Sequence, residues 1–144
     1  MNATEKPRVL FLCTHNAARS QMAEAILRRY AGERFEACSA GMEPTEVHPL
    51  TRTVLREADI DPSGLRAKGL QEFLGKVTVR YAVVVCERED AICPRVFPFA
   101  THTLYWPFED PAEVEGSPEE RLAAFRRVRE RISARVRRFL LEGA

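Results

Sequence analysis

Long apolar runs are missing from this chain. The longest, Tyr81 to Cys86, is six residues, against the ~20 that a membrane-spanning helix needs, so no contact with a bilayer is expected. Fixed-period repeats, low-complexity tracts and Gly-, Ser- or Pro-rich linkers are also absent from the 144 residues, which points to one domain over 1–144. Cysteine is scarce, at Cys13, Cys38, Cys86 and Cys93 only. A chain of this size buries roughly 68–70% of its unfolded surface and needs no disulfide staples. Met1 to Arg8 lacks the apolar stretch of a secretory signal, so the expected location is cytoplasmic. Structural disulfides are rare there, which leaves the four cysteines for chemistry, metal or packing.

An excess of charge is missing too, the net being +1. Its distribution is uneven: Ser117 to Glu142 holds eight arginines against four glutamates. Such a stretch suits a nucleic-acid contact or a solvated helix face, and the interspersed Glu119, Glu120, Glu130 and Glu142 favour the solvated face. No nucleic-acid partner is expected.

What is present alternates between strand and helix patterns. Arg8 to Cys13 is a β-rich run suited to burial on both faces. Met22, Ala25, Ile26 and Tyr30 then recur at helical spacing, with Ser20 as the expected cap and Gly32 as the stop. Phe35 to Ala40, closed by Gly41, reads as a second strand. Leu50, Val54, Leu55 and Ala58 outline another helix, and Leu70 to Leu74 a shorter one. Tyr81 to Cys86 and Thr103 to Trp106 read as the third and fourth strands. Ser117–Pro118–Glu119–Glu120 combines an N-cap, a proline at the first helical position and a capping-box glutamate. Leu122, Phe125, Val128, Ile132, Val136, Phe139 and Leu140 then form one stripe along a helix of roughly 39 Å. Strands separated by helices predict an α/β fold with a parallel sheet. Ligands of such sheets sit beyond the carboxyl ends of the strands.

The residues after the first strand are Cys13–Thr14–His15–Asn16–Ala17–Ala18–Arg19–Ser20. A turn that opens a helix presents successive unpaired N–H groups and the positive end of the helix dipole, and so binds anions. Thr14, His15, Asn16, Ala17, Ala18, Arg19 and Ser20 are therefore the expected oxyanion-binding set. Arg19 adds a planar fork that holds two oxygens of a tetrahedral anion. Cysteines at helix N-termini or beside arginine drop from about 8.5 to roughly 3.5–7.5 in pKa, so Cys13 is expected as a thiolate nucleophile. Asn16 suits a position with positive φ.

Val9 to Ala25, through Cys13, Arg19 and Ser20, resembles the opening of the thioredoxin-coupled arsenate reductases, which share the fold of the low-molecular-weight protein tyrosine phosphatases. Ser39–Ala40–Gly41 resembles the matching segment after the second strand. The resemblance implies a three-layer sandwich with a four-stranded parallel sheet in order 2-1-3-4. It also implies that Cys86 and Cys93 are a redox pair. In the reaction that the resemblance implies, Cys13 attacks arsenate, Cys86 attacks the Cys13 sulfur as arsenite leaves, and Cys93 closes a Cys86–Cys93 disulfide that thioredoxin reduces. Asp110, before Pro111, resembles the family's general acid, with Glu109 as the second candidate.

The spacing of Cys86 and Cys93 does not match that of common zinc sites, so no metal is expected and no cofactor is implied. Some family members bind potassium; Leu65 and Lys68 depart from that pattern despite Asn16, Glu24 and Ser39. His15 stands where the family often has glycine, and Ala18 where many relatives have another cysteine. Cys38 reads as a small buried apolar residue. The expected protein is a monomeric arsenate reductase with arsenate or phosphate as ligand. A phosphatase working through a phosphocysteine is the alternative, and an oxyanion sensor carrying its last helix on nucleic acid is a third reading.

Overall fold

The computed structural model describes residues 6–88, 90, 92–94 and 97–143. Met1 to Glu5, part of the stretch read for a signal, lie outside the described residues, as do Glu89 and Ala91 between Cys86 and Cys93. Four strands, β1 (Arg8–Cys13), β2 (Glu36–Gly41), β3 (Val79–Val84) and β4 (Ala100–Tyr105), form one sheet in the order β2-β1-β3-β4. Every pairing is parallel. Three helices accompany them: α1 (Arg19–Ala31), α2 (Pro49–Glu57) and α3 (Pro118–Glu142). The α/β class and the strand order match the expectation.

Central position explains the composition of β1. Val9 to Cys13 are buried on both faces, and only apolar side chains tolerate that without partners. The edge strand β4 is largely exposed and carries Thr101, His102 and Thr103. Its polar side chains blunt an otherwise open edge. The same polarity hides its start from the hydrophobic pattern. β4 begins at Ala100, because Ala100 and His102 pair with Val79 and Tyr81 through the backbone. Similarly β3 ends at Val84, so Cys86 follows the strand instead of closing it.

Helix α3 buries the predicted stripe, with Phe125, Val128, Ile132, Val136 and Phe139 all 4% exposed or less. Burying each such side chain contributes about 1.5–3 kcal/mol. The Phe139 ring packs on Phe35, Tyr81 and Trp106, joining α3 to the sheet. The Ser117–Glu120 capping box is formed in both directions. On the outer face, Arg126 and Arg129 bind Glu57 of α2, while Arg127 and Arg131 bind Glu109.

Two expected elements differ. Ser20 does not cap α1: the N-cap is Ala18, which makes no side-chain cap bond, and Ser20 is buried inside the first turn. Leu70 to Leu74 shrinks to a single 3₁₀ turn, Leu70–Glu72, preceded by Gly69 and followed by Gly75 at φ 73°. The site lies where the sheet and α1 meet, beyond the carboxyl ends of β1 and β3.

Candidate active site

Residues 13–20 leave β1 and enter α1 in one tight turn. The outward-facing carbonyls of this turn are all engaged. Met42 N–H donates to the Cys13 carbonyl at 3.1 Å, Glu43 to Thr14 at 2.8 Å, Thr45 to His15 at 3.1 Å and His48 to Ala17 at 3.0 Å. The Gln21 amide donates to the Asn16 carbonyl at 3.0 Å. The carbonyl and the following N–H of a trans peptide point in opposite directions, and no peptide bond here is cis. The tethers therefore turn the loop amides away from the β2–α2 connection. One of them, Asn16 N–H, donates to Cys13 Sγ at 3.3 Å.

Asn16 is the hinge of the turn. Its φ is 55°, a conformation that asparagine tolerates better than most residues. Its Nδ2 donates to Ser20 Oγ at 2.8 Å and to Ser39 Oγ at 3.0 Å, while its Oδ1 accepts from Lys68 N–H at 2.9 Å and Gln21 Nε2 at 2.8 Å. Ser20 Oγ in turn lies 2.8 Å from Cys13 Sγ. Because both Nδ2 hydrogens of Asn16 are used, one on Ser20 Oγ, the Ser20 hydroxyl hydrogen is free to donate to the sulfur. Two donors and an uncapped helix N-terminus thus converge on Cys13.

Behind Asn16 the polar chain continues. Ser39 donates to Glu24 Oε1 at 2.6 Å, and Lys68 Nζ lies 3.5 Å from the same oxygen and 3.4 Å from Ser39 Oγ. An ammonium thus sits among these oxygens. Among the described residues no group of three His, Cys, Asp or Glu side chains is arranged to hold a metal ion.

Arg19 is 4% exposed and its guanidinium reaches across the site. Nη1 donates to the Phe108 carbonyl at 3.1 Å and to Asp90 Oδ2 at 2.7 Å, and Nη2 lies 3.5 Å from Asp110 Oδ2. Asp110 Oδ1 accepts from Ala112 N–H at 3.0 Å, which fixes the carboxyl at the start of the 3₁₀ turn Pro111–Glu113. Glu109 points elsewhere: Arg127 Nε donates to it at 2.8 Å and Arg131 at 3.1 Å. The hydrogen bond from Arg127 holds its carboxyl below the usual glutamate range, reinforced by the charges of both arginines.

Cys86 and Cys93 are bonded to one another, with Cα atoms 6.0 Å apart. Cys86 is fully buried and Cys93 partly exposed. Val85 N–H donates to the Leu12 carbonyl, so Cys86 emerges directly beside the start of the Cys13 loop. Thr14 Oγ1 donates to the Ile92 carbonyl, tying the bonded segment to that loop. Cys38 lies in β2, away from these groups, and burial followed by the charge of Glu36 pushes its thiol up to about 11.

A cavity of about 630 Å³ opens over Cys13 and Arg19, walled by Val47, His48, Pro49 and Asp110. Among the described residues that line it, the aromatic rings are the imidazoles of His15 and His48. His48 was not singled out for the site by its sequence context. It caps α2 through Nδ1, packs against the Phe125 ring with centroids 4.7 Å apart, and is held below the usual histidine range by burial and then by Arg121. Gly41 was likewise noted only as a strand end, although the loop touches it.

Comparison with known proteins agrees with this geometry. Residues 8–143 match the low molecular weight phosphotyrosine protein phosphatase family. An arsenate reductase of Halalkalibacterium halodurans is 37% identical over 139 residues, covering 96% of this chain and 98% of the relative. A thioredoxin-dependent arsenate reductase of Corynebacterium glutamicum superposes with a TM-score of 0.68 at 31% identity, over 97% of this chain and 63% of that one. A low molecular weight protein tyrosine phosphatase from T. tengcongensis superposes with a TM-score of 0.67 at 27% identity, over 95% and 99%. With its parallel sheet, its cysteine-to-arginine turn and a family match along nearly its whole length, the chain belongs to the low molecular weight phosphotyrosine protein phosphatase family.

Proposed function

We propose that the protein reduces arsenate to arsenite and that Cys13, Cys86 and Cys93 carry the reaction. The observation that carries this reading is the Cys86–Cys93 disulfide, formed at the end of β3 beside the Cys13 loop. A simple phosphatase needs only the loop, the arginine and an acid. It has no use for a cysteine pair at this place.

Arsenate binds to the amides of residues 14–20 and to Arg19, with the Cys13 sulfur below the arsenic. Cys13 attacks the arsenic, one oxygen leaves as water, and Asp110 supplies the proton. Cys86 as thiolate then attacks the Cys13 sulfur. The As–S bond breaks, its electron pair passes to arsenic, and arsenite departs, leaving a Cys13–Cys86 disulfide. Cys93 attacks Cys86, which frees Cys13 and leaves Cys86–Cys93. The two electrons that arsenic gains equal the two lost by the dithiol pair. Thioredoxin or a similar dithiol reduces that bond and restores the starting state.

Phosphate has the shape and charge of arsenate, so the same loop supports weak phosphatase activity. Among the described residues the cavity walls offer no phenyl or indole ring to sandwich an aryl group, which supports a free inorganic oxyanion over phosphotyrosine as the ligand. Multiple-turnover arsenite production with thioredoxin tests the reading: Cys86→Ser and Cys93→Ser must each abolish it. Undiminished turnover in either variant overturns it.

A further inference from the structure

The Asp90 carboxylate lies within the segment closed by the Cys86–Cys93 bond, whose ends are seven positions apart, and it sits on Arg19. Its Oδ2 accepts from Arg19 Nη1 at 2.7 Å and from Glu87 N–H at 2.9 Å. The Asp90 side chain is 19% exposed and that of Arg19 4%, so the pair is largely shielded from water, where a charge-assisted bond is strong. The other Arg19 contacts are the Phe108 carbonyl on Nη1 and the Asp110 carboxylate near Nη2. Nη1 thereby donates to two protein oxygens, and Nη2 faces a third. A tetrahedral dianion entering over Cys13 needs those same nitrogens, and it meets a like charge at the place where Asp90 sits.

We propose that Asp90 is an internal anion that competes with the oxyanion for Arg19, and that the Cys86–Cys93 disulfide holds it there. The proposal rests on the reading of residues 13–20 as the oxyanion site and states how that site is regulated. The physical basis is chain entropy. The bond closes the loop that carries Asp90, and Thr14 donates to Ile92 next to Cys93, so the carboxylate is kept at a high effective concentration beside the guanidinium. When a dithiol reductant delivers two electrons and two protons, the S–S bond breaks into two thiols and the reductant becomes a disulfide. The constraint is then gone and Asp90 yields to the ligand. The oxidised enzyme thus turns away a substrate that it has no thiols to reduce.

Binding of inorganic phosphate to the full chain tests this by titration calorimetry, in the disulfide form and after reduction with excess dithiothreitol. The wild-type disulfide form is expected to bind phosphate about tenfold more weakly or worse, within the usual range of coupling between linked sites. Asp90→Asn retains an oxygen for Glu87 N–H and removes the charge, so its two redox forms should bind alike. Linkage supplies a second readout on the unaltered protein: saturating phosphate must raise the reduction potential of Cys86–Cys93 by about 30 mV for each tenfold preference. Equal phosphate affinity of the two wild-type forms, or an unmoved potential, overturns the proposal while leaving the oxyanion site intact. Absence of phosphate binding to the reduced protein overturns that site and the proposal together.

Discussion

Gly41 and Asn16 touch at a distance that leaves no space for a side chain. A Cβ at position 41 would lie 2.8 Å from the Asn16 amide nitrogen and 2.8 Å from the Thr14 carbonyl oxygen. Both are backbone atoms of the turn between β1 and α1, whose carbonyls also accept from residues 42–48. The end of β2 therefore serves as the floor on which the loop is shaped. Gly41→Ala is expected to destabilise the fold by about 1–3 kcal/mol, as overpacking does, and to weaken phosphate binding in the reduced state. Urea unfolding and calorimetry check both effects; an unchanged unfolding midpoint would contradict them.

The two neighbouring carboxylates have separate partners. Asp110 faces Arg19 across the site, whereas Glu109 is bound by Arg127 and Arg131 of α3. Asp110→Asn should slow formation of the Cys13 adduct by roughly 10²–10⁴, the usual worth of a general acid. Glu109→Gln should retain most of that rate and alter acid stability instead. With its folded pKa held below the ordinary 4.5, Glu109 stabilises the fold above that value. The contribution fades as the pH falls through the depressed folded value, because the unfolded chain then binds more protons. Urea midpoints between pH 6 and pH 3 should fall less steeply in Glu109→Gln. An equal loss of rate in both variants would assign the acid role to the pair.

Burial selects the sulfur that a reductant meets. Cys86 is 0% exposed, and Cys93 is the partly accessible partner. A thioredoxin stripped of its second active-site cysteine should accumulate as a mixed disulfide with Cys93. Peptide mapping identifies the bond, and trapping on Cys86 would contradict the geometry.

Cys38 should behave as an inert thiol. With a pKa of about 11, roughly one molecule in a thousand is thiolate at pH 8. Iodoacetamide at that pH should label Cys38 only after denaturation. Labelling at the same rate in the folded protein would show that β2 opens readily.

Much of this is legible in the amino-acid sequence. Val9 to Cys13 announce a buried central strand because every residue is apolar, and Cys13 to Ser20 announce an anion turn because cysteine, arginine and a helix start coincide. The α3 stripe and its capping box are local patterns and were read in full. Other features depend on contacts between distant residues. Ser20 reads as a cap by position, yet its hydroxyl is drawn inward by Cys13 and Asn16. The contact between Asp90 and Arg19 joins residues 71 positions apart, a separation at which no local pattern operates. His48 reaches the cavity through the path of the β2–α2 connection, which no periodicity encodes. The start of β4 escaped because an edge strand pairs by backbone and carries polar side chains.

The central claim is that the electrons for arsenate come from Cys86 and Cys93. Fully reduced protein, freed of added reductant and mixed with arsenate, allows a single turnover. The account predicts one arsenite and two lost thiols per chain, with peptide mapping placing the new bond between Cys86 and Cys93. Arsenite release with those two cysteines still free, or a bond that includes Cys38, would contradict it.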